Sequence, residues 1–390
     1  MNKKQMHICW VLANNSSAPY FNWFAEQAKN NSDIKLSFVC LHSEKPKMID
    51  DMQKYGYNCF WIKYDCHQRK RGLIRSTFKL YSLFRKIKPD IVHSHLFDDS
   101  IASLIASKIA FVKRRIITKG DTGFHYYYTP KWVVFDKLNN FLATDIIAIS
   151  EESKRMIIEK EKANLKKINL IHHGIPIESA TSQMEDVKNK YIEKWQLRDK
   201  IVVGTIARFI EWKGYIHIVN AAEKLIQNNP LFVFLFVGNG EQKDEIRNLV
   251  AQKKIEENFI FADWIIPEDI PSLFGLMNVY LHAAKYEPFG LVIVEAMLNG
   301  IPVVSSNTGS AADSIEHKKS GYICNYDSLE KEFIDGITFI LKNNTNNCIG
   351  NEGQKVAEKM FSINEMYNKH IALYFSKIRY FQYTTIKTHN

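Results

Sequence analysis

The sequence predicts an α/β protein of two domains, each organised on a parallel sheet, and three observations carry that prediction. Its 390 residues exceed one ordinary core and suit two domains of roughly 150–200 residues each. Between Val279 and Ser305 a short apolar run, a loop, an apolar helical stretch and a second apolar run follow one another, the order of a βαβ unit. Similar apolar runs alternate with amphipathic stretches through both halves, as in sheets whose strands are joined by crossover helices. The expected domains are residues 1–178 and 179–365, with a C-terminal helix at about 366–390 packing back on the first.

Composition excludes the fibrous and disordered classes, since 46% of the residues are hydrophobic and 24% charged. No run of eighteen apolar residues occurs, and Met1-Asn2-Lys3-Lys4 leads directly into the strand-like His7 to Leu12, too short for a signal sequence. A cytoplasmic protein is expected. Six cysteines without a C-x-x-C pair (Cys9, Cys40, Cys59, Cys66, Cys324 and Cys348) read as free thiols, and no metal site is expected. The net charge of +10 is uneven: residues 1–190 hold 31 Lys+Arg against 19 Asp+Glu, and the remainder 21 against 23. Such a basic half implies an anionic partner, whether membrane, nucleic acid or a phosphorylated acceptor.

In chain order, His7 to Ala13 reads as the first strand, and Pro19 opens a helix with Phe21, Phe24 and Ala28 on one face. The turn between them, Asn14-Asn15-Ser16-Ser17-Ala18, has no glycine. Lys35 to His42 and Cys59 to Ile62 are the next strands. Arg69 to Lys88 is an amphipathic helix with Ile74, Phe78, Tyr81 and Phe84 near one face and Arg75, Lys79 and Lys86 along another, ended by Pro89-Asp90. Ile91 to His95 is a strand, followed by a helix from Ser100 to Ala110 and the basic Lys113-Arg114-Arg115. The strand Arg115 to Thr118 ends in a loop carrying Gly120, Asp121 and His125. Thr144 to Ser150 gives another strand, with Ser150 as N-cap and Glu151 and Glu152 in the first helical turn. Ile168 to Ile175 closes the first half, and the polar Ser179 to Asp199 reads as a connection with a short helix.

The second half opens on the strand Ile201 to Ala207, which runs into Arg208 and then Lys213-Gly214 before a helix to Ile226. Leu231 to Val237 ends in Gly238-Asn239-Gly240, a βα corner suited to a nucleotide-binding domain. Ile260 to Ile265 is the next strand, and the stretch Lys285 to Ser306 follows. Glu287 stands on its loop, at the strand ends where parallel sheets bind ligands. Gly290 permits close backbone approach, and the first free amides of the helix, at Leu291 and Val292, suit a phosphate. Glu295, eight residues after Glu287, lies among apolar neighbours where a carboxylate is costly to bury unless something pairs with it. It could accept two hydroxyls of a sugar ring. Glu352 to Phe381 reads as a long helical region.

The run Glu287, Phe289, Gly290, Glu295, Ala296 resembles the E-x7-E signature of retaining nucleotide-sugar glycosyltransferases of the group 1 (family 4) kind. Thr144 to Glu151, His172-His173-Gly174-Ile175 and the Arg208…Lys213-Gly214 pair also resemble that family, as does Asn307 to Asp313, where relatives carry a Gly-Gly-x-x-Glu turn. The resemblance covers nearly the whole chain and is strongest from about residue 200 to 325. It implies an α/β protein of the GT-B fold, two Rossmann-like domains with parallel sheets facing an interdomain cleft. Glu287 would contact the donor sugar, Glu295 the ribose, and Arg208 and Lys213 the diphosphate, where fixed cations stabilise a departing anion. Phe289, Gly290, Leu291, Val292, Gly238 and Trp264 complete the implied donor site. His125 is the candidate for the family's loop histidine, with Asp121 an alternative acid/base or hydroxyl-binding group, while His93 and His95 are implied to be architectural.

The implied reaction is retaining transfer of a sugar from a nucleotide-diphosphate donor to a glycan or lipid-linked acceptor in surface polysaccharide or glycan assembly, with no cofactor and no obligatory metal. A nucleotide-sugar epimerase on the same fold and a non-catalytic two-lobed sugar-binding protein are the alternatives. No nucleic-acid partner is expected. The basic half would serve docking on an anionic membrane surface, placing a cytoplasmic enzyme peripherally on the inner face.

Overall fold

The computed structural model describes residues 5–13, 19–65, 69–95, 97–120 and 123–376. Asp121, Cys66 and the turn 14–18 therefore lie outside the described residues, as does anything expected beyond 376. The chain divides into two compact units, one comprising residues up to Gly174 and from Ile363 onward, the other Ile175–Ser362.

The first unit holds a seven-stranded sheet. Its strands are β1 (Met6–Ala13), β2 (Ile34–His42), β3 (Asn58–Lys63), β4 (Ile91–Ser94), β5 (Arg114–Lys119), β6 (Asp145–Ala148) and β7 (Ile168–Leu170). They lie in the order β3-β2-β1-β4-β5-β6-β7, and every pairing is parallel. The near-continuous apolar sequence of β1 follows from this placement, because a central parallel strand is covered on both faces. Trp10 is fully buried at its centre, with Phe24, Phe38, His93 and His95 packed around it.

The expected long C-terminal helix is broken in two, Cys348–Phe361 and Ile363–Ser376, at the extended Ser362. The second piece belongs to the first unit's core. The Tyr374 hydroxyl meets Trp10 Nε1 at 3.1 Å and His93 Nδ1 at 2.7 Å. Because the other nitrogen of His93 meets Thr118 Oγ1 at 2.8 Å, that ring is fully engaged in holding the fold. Arg114, expected in an outward basic patch, instead turns inward: its Nη1 donates to the carbonyls of Leu373 and Tyr374 and its Nη2 lies 3.3 Å from Asp145. Arg115 likewise donates to the Leu142 and Val112 carbonyls. The five described cysteines are free thiols.

The second unit holds a six-stranded sheet of β8 (Ile201–Ile206), β9 (Phe232–Val237), β10 (Phe259–Ala262), β11 (Val279–His282), β12 (Val303–Ser306) and β13 (Tyr322–Cys324). The order is β10-β9-β8-β11-β12-β13, all parallel. Residues 179–199, expected as a connection, are instead packed on this unit. The Glu185–Trp195 helix is tied to it by Tyr191 to Asp269 at 3.1 Å, and Met184 N donates to Ser272 Oγ at 2.9 Å. A row of aromatic rings, Phe234, Phe236, Phe259 and Phe261, covers one face of β9 and β10.

Candidate active site

In the second unit the strand order reverses between β8 and β11. At such a switch point neighbouring strands send their following helices to opposite faces, leaving a crevice at the carboxyl ends. The loops that leave β8 and β11 carry Arg208 and Lys213 on one side and Glu287 on the other.

Arg208 is held by its neighbours rather than by its own side chain. Phe209 is fully buried, stacked on Tyr215 with centroids 4.1 Å apart, and its N–H donates to the Asn239 carbonyl at 3.0 Å. The Tyr215 hydroxyl donates to the Ala207 carbonyl at 2.8 Å. Between these two anchors the Arg208 side chain is exposed and has no partner among the described residues. Lys213 ends a short 3-10 turn, and Gly214 after it has φ +68°. A Cβ at Gly214 would fall 2.3 Å from the Ala283 carbonyl oxygen, so glycine is what lets the β8 loop close on the β11 loop. Lys285 N–H donates across the same seam to the Trp212 carbonyl at 2.8 Å.

Glu287 is buried, and its Oε2 accepts from Lys213 Nζ while lying 3.2 Å from His282 Nε2. His282 makes that approach without hydrogen-bond alignment. Burial alone would push the Glu287 carboxyl up, but His282 and Lys213 outweigh it and hold the group down at about 2. The carboxylate is therefore ionised at neutral pH, with Oε1 free of partners among the described residues. The loop is fixed from behind by the turn after β12: Glu287 N–H donates to Thr308 Oγ1 at 3.2 Å, and Ser310 N–H to the Phe289 carbonyl at 2.6 Å.

Gly290 is the N-cap of the Leu291–Leu298 helix. The amides of Leu291 and Val292 stand in its first turn, where a helix has no acceptors of its own. Glu295 faces no partner among the described residues. It keeps a rim of solvent contact, yet desolvation pushes its carboxyl up to about 7. The two carboxylates of the motif thus differ in kind, one neutralised in place and one left open. Phe289 turns away from them and packs edge-on against Phe361 at 5.5 Å. Its side chain belongs to the core, and only its backbone borders the motif.

Gly238 opens the turn after β9, and the exposed Trp264 lies two residues past the end of β10. These two strand ends are joined by Lys243, buried to 6% exposure. Its Nζ meets the Gly238 carbonyl at 3.0 Å and Asp263 Oδ1 at 2.5 Å. His125 belongs to the other unit, where its Nδ1 is 2.8 Å from Asp136 Oδ2 and its ring packs against Phe97. Asp136 also lies 3.3 Å from Lys119 Nζ.

Sequence reasoning missed His282 and Lys243, and marked Thr308 only as part of the turn Asn307 to Asp313. His282 is the last residue of an apolar strand, and its polarity there was the available signal; Lys243 carries no local signal.

Comparison with known proteins agrees with this geometry. The family described as glycosyl transferases group 1 matches residues 187–356, and that described as glycosyltransferase family 4 matches residues 30–179. A UDP-Gal:α-D-GlcNAc-diphosphoundecaprenol α-1,3-galactosyltransferase of Escherichia coli is 26% identical, over 86% of this chain and 89% of its own. The capsular polysaccharide biosynthesis glycosyltransferase CapM of Staphylococcus aureus is 27% identical, over 74% and 77%. Among solved structures, Anabaena HepE in complex with UDP superposes with a TM-score of 0.79 at 20% identity, covering 96% of this chain and 100% of HepE. With a glycosyltransferase family matched on each half, the group 1 family on the second, and both sheets parallel as expected, the chain is a glycosyltransferase built of two Rossmann-like domains.

Proposed function

We propose that this glycosyltransferase moves a sugar from a uridine diphosphate donor to a glycan or lipid-linked acceptor, with retention of anomeric configuration, in surface polysaccharide assembly. The observation that carries the donor reading is the pairing of an open carboxylate, Glu295, with an exposed and unpartnered guanidinium, Arg208, at one switch point. A nucleoside diphosphate offers what each lacks: ribose hydroxyls to donate to Glu295, and phosphate oxygens to accept from Arg208 and from the first amides of the 291–298 helix. Glu287, with Oε1 open and Oε2 engaged, can take a hydroxyl of the donor sugar. The uridine base stacks on Trp264 in this reading, and His125 of the first unit contacts the acceptor. UDP as the nucleotide, and a lipid-diphosphate acceptor, are suggested by what HepE binds and by what the E. coli relative is named for.

Chemically, the bond from the anomeric carbon to the diphosphate oxygen breaks while Arg208, Lys213 and the helix amides stabilise the negative charge on the leaving group. The acceptor hydroxyl forms the new bond on the same face, and its proton passes to the departing phosphate. Lys213 must then share its charge between Glu287 and the diphosphate. A metal is not required by this account. Epimerase and sugar-sensor readings are not favoured, because both matched families and the named relatives are transferases.

The test is incubation with UDP-sugars and an undecaprenyl-diphosphate sugar, with the product's anomeric configuration read by NMR. An α-linked product from an α-linked donor is expected; an inverted product would overturn retention. Arg208→Ala should lower turnover by on the order of a hundredfold with the fold intact, as for other lost transition-state donors. Near-normal turnover in a folded Arg208→Ala protein would remove the diphosphate clamp from the mechanism.

A further inference from the structure

The Arg69–Ile87 helix is fixed to the first unit by one face and leaves the other uncovered. Ser76, Leu80 and Phe84 are buried, and Arg69 anchors the start by pairing with Asp98 and lying over the Trp132 ring at 4.2 Å. On the opposite side Ile74, Phe78 and Tyr81 are 60%, 71% and 36% exposed. With Arg85 they fall at i, i+4, i+7 and i+11, so they form one stripe along the crown of the exposed face. Lys70, Arg71, Arg75, Lys79, Arg85 and Lys86 are exposed on the same side, and none has an ion-pair partner among the described residues. The helix contains no acidic residue.

A face kept merely for solubility mixes charges of both signs and hides its aromatics. Here the line along the crown is apolar but for Arg85, and all the charge on that face is positive. That is the layout of a helix lying in a lipid interface, with its crown reaching the acyl boundary and its cations among the headgroups. A polyanion such as nucleic acid would satisfy the cations but give Ile74 and Phe78 nothing to bury against. The inward turn of Arg114 and Arg115 removes the other basic cluster of this unit from consideration.

We propose that the exposed face of the Arg69–Ile87 helix docks on an anionic phospholipid surface, with Ile74, Phe78 and Tyr81 inserted and the flanking cations on the headgroups. The proposal goes beyond the sugar-transfer reading and does not depend on it. Co-sedimentation of the full-length protein with vesicles tests it, comparing phosphatidylglycerol-containing with pure phosphatidylcholine membranes. Binding is expected to the former alone and to weaken as salt rises. Each cation near an anionic surface changes affinity about fivefold, so Arg75→Ser/Lys79→Ser/Lys86→Ser should lose on the order of a hundredfold.

Ile74→Ser/Phe78→Ser, which leaves every charge in place, should reduce binding and abolish the part that persists at high salt. Unchanged binding of either variant overturns the proposal, as does equal wild-type binding to phosphatidylcholine. Retention on heparin or duplex DNA that both variants lose in the same proportion as vesicle binding would instead assign the face to polyanions. UDP-induced thermal stabilisation should be the same in wild type and variants. Its absence in all of them would count against the donor reading without touching this one.

Discussion

At the scale of single residues, the two glutamates of the E-x7-E motif have opposite electrostatic histories, and this has a measurable sign. Glu287, held at about 2, favours the folded state at neutral pH, and that contribution is lost only as pH falls from the ordinary carboxylate range toward 2. Glu295 is raised to about 7, so the folded protein binds a proton that the unfolded chain has released above the ordinary value near 4.5. Stability therefore falls as pH rises from about 4.5 through 7, and Glu295 costs stability at pH 8. Glu295→Gln should raise the Tm, and the difference from wild type should grow between pH 5 and pH 8 in calorimetry. A gap that shrinks over that range would show that Glu295 has a partner when unliganded. The same substitution should weaken UDP affinity, most at high pH, where the carboxylate is fully available to ribose. It should also remove the proton release that accompanies binding near pH 7, read by titration in buffers of different ionisation enthalpy.

At the scale of elements, the site depends on loops that support one another from different strands. Gly309, with φ +55°, lies so close under the motif that a Cβ would meet the Phe289 and Glu287 carbonyl oxygens at 2.6 and 2.9 Å. Gly309→Ala should therefore push the Glu287 loop forward, destabilise the protein by about 1–3 kcal/mol, and raise the donor KM by roughly tenfold or more. A KM within error of wild type would mean that the turn after β12 does not position Glu287.

Lys243 has a related role, and its removal by Lys243→Met should loosen the loop bearing Trp264 and weaken UDP binding more than it slows the bound complex. An effect on turnover at saturating donor alone would exclude that role. These couplings explain what the sequence made legible. Strands β1, β2, β8 and β9 were evident because buried parallel strands are apolar throughout, and Glu287, Glu295, Arg208 and Lys213 because their motifs are local. The contact of Lys213 with Glu287 was not, since the two lie 74 residues apart and only the β8–β11 adjacency brings them together. Arg114 looked like surface charge for the same reason, its carbonyl partners lying some 260 residues later.

At the scale of the whole molecule, the first unit carries an acid-sensitive core that the second lacks. His93 and His95 have ring centroids 4.1 Å apart, and His93 and His370 5.9 Å. Burial lowers His173 to about 3 and His370 to about 4 and holds His93 and His95 well below the ordinary value, with neighbouring imidazoles adding to the shift at His173, His93 and His95. Below pH 6.5 the unfolded chain takes up protons that these rings refuse. Each therefore removes about 1.4 kcal/mol per pH unit as pH falls toward its folded value. Between pH 6.5 and 4.5 the first unit should lose stability steeply. Hydrogen exchange should show β1 and β4 amides deprotected before those of β8 and β9. Simultaneous loss in both sheets would contradict this.

The helix Ile363–Ser376 completes the first unit although it is made after the whole of the second. Until it emerges, Trp10 Nε1 and His93 Nδ1 lack the Tyr374 hydroxyl, and Arg114 lacks the two carbonyls that receive it. On a ribosome all of Ile175–Ser362 must be synthesised in between, which takes roughly 10–40 s at about 5–20 residues per second. During that interval the second unit, contiguous in sequence, is free to fold while the first waits with an open core. The unit whose strands are synthesised first is thus the one whose core is completed only after the other unit has been made.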